Sequence, residues 1–494
     1  MEYHKKRVKN MQTGENSNRK ILSGVIWKFG ERIIAQGVSF IVSLILARIL
    51  MPEDYGAVAV VTVFIEIANV LLSSGLNVAL IQKKDVTQEE ISTIFYCNLL
   101  LSSLLYIIMY VLAPYIANRY QLDILVPVLR VFALRLPIAA FQSIQCAIVS
   151  RNLEFKKFFF STIGGTLCSA VVGITMAIKG YGVWALVWQY LTNTIIDTLI
   201  LAIIVRWRPA IKFSMSAAKP LLSYGWKIMA TDFIGTVFNN LSSMIIGIRY
   251  LTTDLAYFTK GKQIPYLLRN NIYTTLISVL FPAMAKVSDN YDVMKQLANR
   301  SIQILSYIIY PIMIGIIAIA NNLVIFLFTE KWLLMVPFIQ IVCLECIISI
   351  IPTITLQTLK ASGYSNVVLK LEFVKKPVLL ASVFIAMKFN VIAIALTLPI
   401  NTIIELFVDG FACKKYIEYN IKEQVKPCVS ALMLSVIMGL TVKIVDLLNL
   451  SALIILICQV SIGIIIYVGL SVVFKVDAFI ILYRLIKEKL SMKR

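Results

Sequence analysis

Ionisable and amide side chains recur at helical spacing inside the apolar segments of this chain. Five polar residues of the first segment follow one another every three or four positions: Lys28, Arg32, Gln36, Ser39 and Ser43. Side chains at this spacing share one face of a helix. Arginine and lysine on such a face can hold an anion, and a guanidinium binds phosphate with two parallel hydrogen bonds.

Other apolar segments repeat the pattern. The second segment has Thr62, Glu66, Asn69, Ser73 and Asn77. The seventh has Lys227, Thr231, Asp232, Gly235, Asn239, Ser242 and, at its end, Arg249. The eighth has Arg269, Tyr273 and Ser278, while the fourth and sixth add Arg130, Arg135, Gln189, Asn193 and Asp197. Small polar residues on membrane helices commonly form hydrogen bonds between helices, so each residue alone is open to that structural interpretation.

Arg32 and Arg269 lie deep in their segments, where an ionised side chain needs a wet cavity or a partner. We therefore predict a cationic lumen with these substrate-binding residues: Arg32, Arg269, Arg249, Lys227, Gln36, Asn69 and Asn239. The carboxylates are either proton or sodium sites or ion-pair partners of the arginines, and the sequence leaves both roles open. The four that we select as ion-coupling residues or charge partners are Glu31, Glu66, Asp197 and Asp232, and the same choice applies to Glu345, Glu405 and Asp409.

Several chemistries lack the residues they require. The one histidine is His4, in the N-terminal tail. Cys343 and Cys346 form a CxxC with neither a second pair nor a histidine nearby, so we interpret them as apolar helix positions rather than a zinc or redox site. The sequence has no nucleotide-binding glycine loop, and no loop is long enough to fold alone. We predict no metal, no cofactor and no enzymatic activity.

Apolar stretches of membrane-spanning length make up most of the chain, with 59% hydrophobic residues and a mean hydropathy of +0.84. A helix of about 20 apolar residues crosses the hydrocarbon core and satisfies its own backbone hydrogen bonds. We predict an all-α polytopic membrane protein of about fourteen transmembrane helices, at 22–48, 57–81, 92–117, 125–149, 158–179, 182–205, 222–248, 264–285, 300–320, 334–359, 367–388, 390–412, 428–447 and 452–474.

Basic residues predict the orientation. With the N-terminus inside, the inner loops and both tails carry several times as many lysines and arginines as the outer loops. This asymmetry predicts a multi-pass protein of the bacterial plasma (inner) membrane with both termini in the cytoplasm. The net charge of +21 is spread over short loops and tails, so we attribute it to contact with membrane lipids and predict no nucleic-acid partner.

A weak internal similarity predicts two related lobes. Residues 29–53 resemble residues 224–254 in a Gly, Arg-x-Leu and acidic pattern, and internal repeats are a common transporter plan. The predicted parts are a basic N-tail (1–20), an N-lobe of helices 1–6 (21–205), a cytoplasmic linker (206–221), a C-lobe of helices 7–12 (222–417), helices 13–14 (418–474) and a basic C-tail (475–494).

Residues 47–56, ARILMPEDYG, resemble the signature of the polysaccharide transport (O-antigen and exopolysaccharide flippase) family. That family belongs to the multidrug/oligosaccharidyl-lipid/polysaccharide exporter superfamily. Supporting matches lie at 75–82, 151–156, 180–186 and 330–332. The chain departs from the family after Gly247, where a glycine-rich stretch is common and this chain continues with IRYLTT, which includes Arg249. The Arg and Thr residues of this stretch either alter the outer gate or have no consequence, and the sequence leaves both interpretations open.

The resemblance implies a V-shaped bundle of two six-helix lobes plus two C-terminal helices. It implies a flippase that moves an undecaprenyl-pyrophosphate-linked oligosaccharide from the cytoplasmic to the outer leaflet by alternating access. The expected partners are this lipid-linked oligosaccharide, membrane lipids, and the polysaccharide polymerase and chain-length machinery. The alternative is a multidrug exporter for organic cations from the same superfamily, which needs acidic and aromatic groups. A polymerase or ligase needs a substantial outer loop, which the sequence lacks.

Overall fold

The computed structural model describes residues 27, 28, 30–73, 75–83, 86–448 and 451–491; the predicted N-tail and His4 lie outside them. Within these residues the regular structure is helical, with 3-10 turns at Glu330–Met335 and Val445–Leu447 and no strand. The α-helices are α1 (Gly30–Ile49), α2 (Pro52–Ser73), α3 (Gly75–Gln82), α4 (Gln88–Tyr120), α5 (Leu125–Phe132), α6 (Arg135–Arg151), α7 (Lys156–Ile178), α8 (Val183–Val205), α9 (Met215–Arg249), α10 (Thr252–Ala285), α11 (Tyr291–Phe328), α12 (Val336–Ile348), α13 (Ile350–Ala361), α14 (Ser365–Ala386), α15 (Val391–Ile417), α16 (Ile421–Ile444), α17 (Ala452–Val473) and α18 (Asp477–Ser491).

Eleven helical stretches in the described residues are long and apolar enough to cross a membrane. Three of these stretches combine neighbouring elements: α2 with α3, α5 with α6, and α12 with α13 after the first 3-10 turn. Helices α9, α10 and α14 are more polar but still 35, 34 and 22 residues long. The prediction of an all-α polytopic membrane protein is confirmed, while in the described residues eleven of the roughly fourteen predicted spans meet the length and composition of a membrane-crossing helix.

Helix α10 begins at Thr252, so the predicted start of this span at residue 264 was wrong. Lys260 and Lys262 had indicated a loop, but both lie within the helix. The Lys262 ammonium lies 4.2 Å from the centre of the Phe258 ring, and Lys260 donates to Gln263 Oε1 over 3.4 Å. A lysine stem covers apolar surface while its head finds a ring or a polar partner. Charge alone therefore does not end this helix.

Polar caps mark where several long helices begin. The Thr87 hydroxyl accepts from the Glu90 backbone N–H, and the Glu90 carboxylate accepts from the Thr87 backbone N–H. Asn290 accepts from the Val293 N–H at the start of α11, and an asparagine does the same at the start of α15. Such caps satisfy backbone donors that a helix terminus leaves open. They place the helix ends in the connecting loops, outside the apolar runs.

The chain divides into two compact units, residues 1–253 and 254–494. In the first unit, α7 packs along α8, and α9 packs against α2 and α3. Two glycines permit close approaches in this unit, Gly75 to α9 and Gly56 to the start of α10. A Cβ at Gly56 would overlap the backbone carbonyl of Thr252, and a Cβ at Gly75 would overlap that of Gly225. Backbones approach this closely in membrane bundles only where side chains are small.

In the second unit, α11 packs against α16, α12 and α17, while α15 packs against α12, α13 and α14. Its interior includes Phe258, Phe328 and Trp332, which are fully buried. The Phe258 and Phe338 rings meet edge to face at 5.8 Å, and Gly261 lets α10 approach Phe338 closely. The predicted limits of the two lobes, 21–205 and 222–417, remain a prediction.

Candidate functional site

Glu31 ties α1 to α7 in the first unit. Its side chain is buried and accepts from Lys28 Nζ over 2.9 Å and from Thr162 Oγ1 over 3.2 Å. Lys28 is mostly exposed, so the ion pair lies at the edge of the unit. Arg32 and Gln36 follow along α1 and are half-buried. The predicted polar face of α1 therefore has its acidic member engaged at the α1–α7 contact.

Asp197 on α8 lies in the same part of the unit, within electrostatic range of Glu31 and Lys28. Its Oδ2 accepts from Gln142 Nε2 over 2.5 Å. Its Oδ1 is buried and has no hydrogen-bond partner among the described residues. Gly165 makes room for it, because a Cβ there would lie 3.2 Å from the Asp197 Cβ. The structure thus brings together two of the four predicted lumen carboxylates.

Glu66 on α2 is exposed and accepts from Asn240 Nδ2 on α9 over 3.3 Å. Arg135 on α6 lies within electrostatic range of Glu66. Its Nε donates to Thr194 Oγ1 over 3.0 Å, and its guanidinium lies 5.2 Å from the Tyr190 ring centre. The sequence prediction names Asn239 rather than its neighbour Asn240, and it does not include Arg135. The helical spacing gave no means of choosing between adjacent asparagines.

Helix α9 presents four predicted site residues to its exposed face: Lys227, Asp232, Asn239 and Arg249. None of their side chains has a hydrogen bond or ion pair with the described part of the chain. Asn69 on α2 is half-buried, and its backbone carbonyl accepts from Ser73. The α9 charges are therefore open to a ligand, and the structure does not join them to one another.

Arg269 on α10 is held firmly in the second unit. Its Nη1 lies 2.8 and 3.1 Å from the two carboxylate oxygens of Glu345 on α12. Its guanidinium lies 4.4 Å from the centre of the Tyr266 ring, and its Nε donates to Asn270 Oδ1. The second terminal nitrogen, Nη2, has no hydrogen-bond partner within the described ranges. Nε and Nη1 are thus engaged, and Nη2 is available.

The tyrosine next to this pair is also positioned by α12. Tyr273 and Ser349 form a hydrogen bond of 3.1 Å between their hydroxyls. The Tyr273 ring centre lies 5.7 Å from the Arg269 guanidinium. Aromatic faces attract a guanidinium and leave its edge free to donate. The arrangement orients a cation on α10. Cys343 and Cys346 are buried on the same α12, and the described residues contain no cluster of ligands that could hold a metal.

The family-like sequence motifs meet at two places in the first unit. Asp54 accepts from the backbone N–H of Met51 at the start of α2. A Cβ at Gly182, whose φ is +53°, would lie 3.0 Å from Asp54 Oδ1. Segments 47–56 and 180–186 therefore touch, and glycine is required because its φ is positive and no side chain fits.

At the opposite end of α2 and α3, Arg151 donates to the backbone carbonyls of Leu80 and Lys83. This joins segments 75–82 and 151–156 and satisfies carbonyls that the end of α3 leaves open. In the second unit, Trp332 of segment 330–332 packs edge to face on Tyr257 at 5.9 Å. The motif residues hold helices together. The charged residues outside the motifs are therefore the better candidates for ligand binding.

Comparison with known proteins adds a family match. The sequence profile of a family described as polysaccharide biosynthesis protein matches residues 45–337. The lipopolysaccharide biosynthesis protein WzxC of Escherichia coli (strain K12) is 27% identical, with 66% of each chain covered. The succinoglycan biosynthesis transport protein ExoT of Rhizobium meliloti (strain 1021) is 23% identical at the same coverage. The chain thus spans about two thirds of the length of these curated relatives.

Two solved structures share the fold. The lipid II flippase MurJ in an inward closed conformation aligns with a TM-score of 0.72 at 18% identity, over 93% of this chain and all of that one. An inward-facing multidrug resistance MATE family transporter of the MOP superfamily aligns with a TM-score of 0.61 at 15% identity, over 78% of this chain and 96% of that one. At these identities the likeness concerns the fold alone.

Proposed function

Because this chain belongs to the polysaccharide biosynthesis protein family, as its sequence motifs indicated, we propose that it is a lipid-linked oligosaccharide flippase. Its substrate is an undecaprenyl-pyrophosphate-linked polysaccharide repeat unit. The protein moves this unit from the cytoplasmic to the outer leaflet of the bacterial plasma membrane by alternating access through a cationic lumen. It is a transporter without enzymatic activity. The family membership and the names of the relatives support this class of substrate.

The observation that carries the proposal is the oriented guanidinium of Arg269, of which one terminal nitrogen is left available. Glu345 fixes Nη1, the Tyr266 ring covers one face, and Nη2 stays without a partner in the described structure. A phosphate oxygen is the acceptor that such an oriented donor binds best. Ionised side chains within membrane helices are costly and usually mark a functional site. We assign it to the pyrophosphate of the substrate.

The other predicted residues bind different parts of the substrate. Arg32, Arg249 and Lys227 supply further positive charge along the path of the pyrophosphate. Gln36, Asn69 and Asn239 supply donors and acceptors for sugar hydroxyls, while the lipid tail stays in the bilayer. A cationic path also argues against the alternative, an organic cation exporter, although a MATE transporter shares the fold. Such an exporter needs acidic groups where this chain places basic ones.

The four lumen carboxylates take two roles in this proposal. Glu31 is a charge partner because it pairs with Lys28, and Glu66 positions Asn240. Asp197 and Asp232 have no ion-pair partner among the described residues. We assign these two to ion coupling or to a partner in another conformation. Ion binding then biases the populations of inward and outward states.

The proposed setting is the inner membrane with both termini in the cytoplasm. There the protein contacts anionic lipids and delivers its product to the polymerase and chain-length machinery at the outer leaflet. No cofactor is required for such transport, because alternating access needs only a shift in population between two states.

A reconstitution assay tests the function. Proteoliposomes containing the purified protein and an undecaprenyl-pyrophosphate-linked oligosaccharide are treated with a membrane-impermeant glycosidase. We expect the protected fraction to fall with time, and to stay constant in protein-free liposomes. The Arg269→Ala variant controls for detergent leakage. Efflux of a cationic dye without movement of the oligosaccharide would contradict the proposal and favour the exporter.

A further inference from the structure

Arg135 belongs to a polar group of the first unit that the proposed path of the pyrophosphate does not use. It lies well inside the span Leu125–Arg151 and is half-buried. Its Nε donates to Thr194 Oγ1 on α8. Its two terminal nitrogens have no hydrogen-bond partner in the described part of the chain. Ionised groups within membrane helices usually pair with a partner or face a wet cavity, so these donors are available to a ligand.

Two aromatic rings hold this guanidinium in a fixed orientation. Its central carbon lies 5.0 Å from the centre of the Phe132 ring and 5.2 Å from that of the Tyr190 ring. The two rings meet edge to face at 5.5 Å. Phe132 is fully buried, whereas Tyr190 is 40% exposed and its hydroxyl has no hydrogen-bond partner among the described residues. An aromatic ring, a hydroxyl and an oriented guanidinium edge are therefore available at one place.

Glu66 and Asn240 complete the group from two other helices. Glu66 on α2 is exposed and lies within electrostatic range of Arg135 and Tyr190. Asn240 on α9 donates from Nδ2 to the Glu66 carboxylate over 3.3 Å and to the Thr236 backbone carbonyl over 3.2 Å, so both of its amide donors are engaged. Within the described ranges, no direct ion pair joins Glu66 to Arg135. The cation and the carboxylate are therefore close neighbours that do not contact each other.

A sugar ring is the ligand whose chemistry matches these groups. A hydroxyl both donates and accepts, so adjacent hydroxyls can accept from a guanidinium and donate to a carboxylate at the same time. Binding sites combine apolar or aromatic walls with a few polar groups that fix orientation, and the C–H face of a pyranose packs on an exposed aromatic ring. The guanidinium and the carboxylate carry opposite charges. A neutral ring therefore suits the group, whereas the carboxylate of a uronic acid or a phosphate would be repelled by Glu66.

We propose that Tyr190, Arg135 and Glu66 form a subsite for a neutral sugar ring of the lipid-linked oligosaccharide. Tyr190 supplies the stacking surface, Arg135 donates to ring hydroxyls and Glu66 accepts from them. Asn240 is a positioning residue that holds the Glu66 carboxylate. The subsite rests on the proposed function and deepens it, because it assigns the chemical class of one sugar of the substrate. Its residues differ from those assigned above to the sugar hydroxyls.

Saturation-transfer difference NMR tests the subsite without the lipid carrier and without any transport assay. The full-length protein in nanodiscs is mixed with the methyl glycosides of glucose, galactose and mannose, one at a time, because the method detects weak binding. We expect transfer to the ring C–H protons of at least one hexoside and none with empty nanodiscs. The matching methyl uronide differs only by a carboxylate at C6. It should bind about tenfold more weakly, because like charges placed side by side cost affinity.

Three variants assign the signal to this group of residues. Tyr190→Ala should abolish the transfer and Tyr190→Phe should keep most of it, because the ring supplies the stacking surface. Glu66→Gln should bring the affinities for the hexoside and its uronide to within about threefold of each other, because the repelling charge is gone. This comparison keeps the test valid if Tyr190→Ala does not elute at the normal volume.

Tyr110→Ala is the matched control. Tyr110 is 43% exposed and the Arg130 guanidinium lies 4.1 Å from its ring centre, so it is a second tyrosine that faces an arginine in the same unit. Its removal should leave the signal unchanged. Absence of transfer to every hexoside, or equal signals from the wild-type protein and Tyr190→Ala, would overturn the subsite. Neither result affects the reconstitution assay, whereas a protein that binds the hexoside but moves no oligosaccharide would contradict the proposed function alone.

Discussion

Helices α9 and α10 both carry cations predicted to bind substrate, yet the two helices treat them differently. On α9, Lys227 and Arg249 are exposed and have no side-chain partner in the described structure. On α10, Arg269 is half-buried, is fixed by Glu345 and faces Tyr266. The α9 charges are accessible but no contact orients them. The α10 charge is oriented, but part of its guanidinium is already paired with Glu345.

Under the proposed function, this difference gives the two helices different roles in substrate binding. A flexible exposed charge attracts an anion over a distance and is screened by salt. An oriented guanidinium loses little freedom when it binds, so it contributes more to a fixed complex. We infer that α9 supplies capture and α10 supplies orientation. Each of the following substitutions separates these roles, beginning with the largest expected effect.

Arg269→Ala should abolish transport and also lower stability by about 3–5 kcal/mol, because Glu345 is left as a buried charge without a partner. Arg269→Lys should restore stability and only part of the transport, since an ammonium lacks the second donor edge. Transport in proteoliposomes and thermal unfolding in detergent measure the two effects.

The double variant Arg269→Ala with Glu345→Ala separates binding from folding. Removing both charges removes the unpaired carboxylate, so protein abundance should return while transport stays absent. Wild-type transport in the double variant would show that Arg269 only supports the fold. That result would exclude a role of α10 in orienting the substrate.

Gly75→Ala should destabilise the α3–α9 packing by about 1–3 kcal/mol, because its Cβ would overlap the Gly225 carbonyl and a backbone must move. Gly56→Ala should act similarly against Thr252. Gly235→Ala on α9 is the matched control, since nothing lies within 4 Å of a Cβ there. Unfolding midpoints measure the difference. Equal midpoints for Gly75→Ala and Gly235→Ala would show that the close packing adds no stability.

Lys227→Ala and Arg249→Ala should each weaken binding of the lipid-linked oligosaccharide by about tenfold at low salt and less at high salt. Neither should change stability by more than about 0.5 kcal/mol, because the side chains are exposed and unpaired. Binding isotherms at two salt concentrations measure this, with the neighbouring Trp226→Phe as a control for altered surface. An equal loss of binding at both salt concentrations would contradict a capture role for α9.

The membrane spans could be predicted because lipid imposes one rule on every one of them. Apolar length located most of the helices but not their ends: α10 begins well before its predicted start, where Lys262 stacks on Phe258 inside the helix, and α11 runs from Tyr291 to Phe328 instead of 300–320. The polar stripes predicted which helices carry charge. They could not predict which charge meets which, because the partners are remote in sequence. Glu66 and Asn240 are 174 positions apart.

The same limit explains the residues that the sequence interpretation did not select. Arg135 was visible as an arginine within a span, but its bond to Thr194 depends on how α6 and α8 cross. The sequence likewise offered several acidic residues as partners of Arg269 and gave no reason to prefer one. The structure identifies the partner as Glu345. Helical periodicity defines a face of one helix, whereas a site is formed by the faces of several.

The smallest expected effect belongs to Asp232, an exposed carboxylate on α9 without a partner among the described residues. We hypothesise that Asp232 meets a cation of the first helix in one transport state and separates from it in the other. A bias of about 1.4 kcal/mol changes the ratio of two states tenfold. Asp232→Asn should therefore shift the relative accessibility of single lumen cysteines from the two sides by up to about tenfold, with little change in stability. Thr231→Ala, beside it on α9, is the control. If accessibility is unchanged while oligosaccharide binding falls, Asp232 belongs with the capture residues of α9 and does not bias the conformational equilibrium.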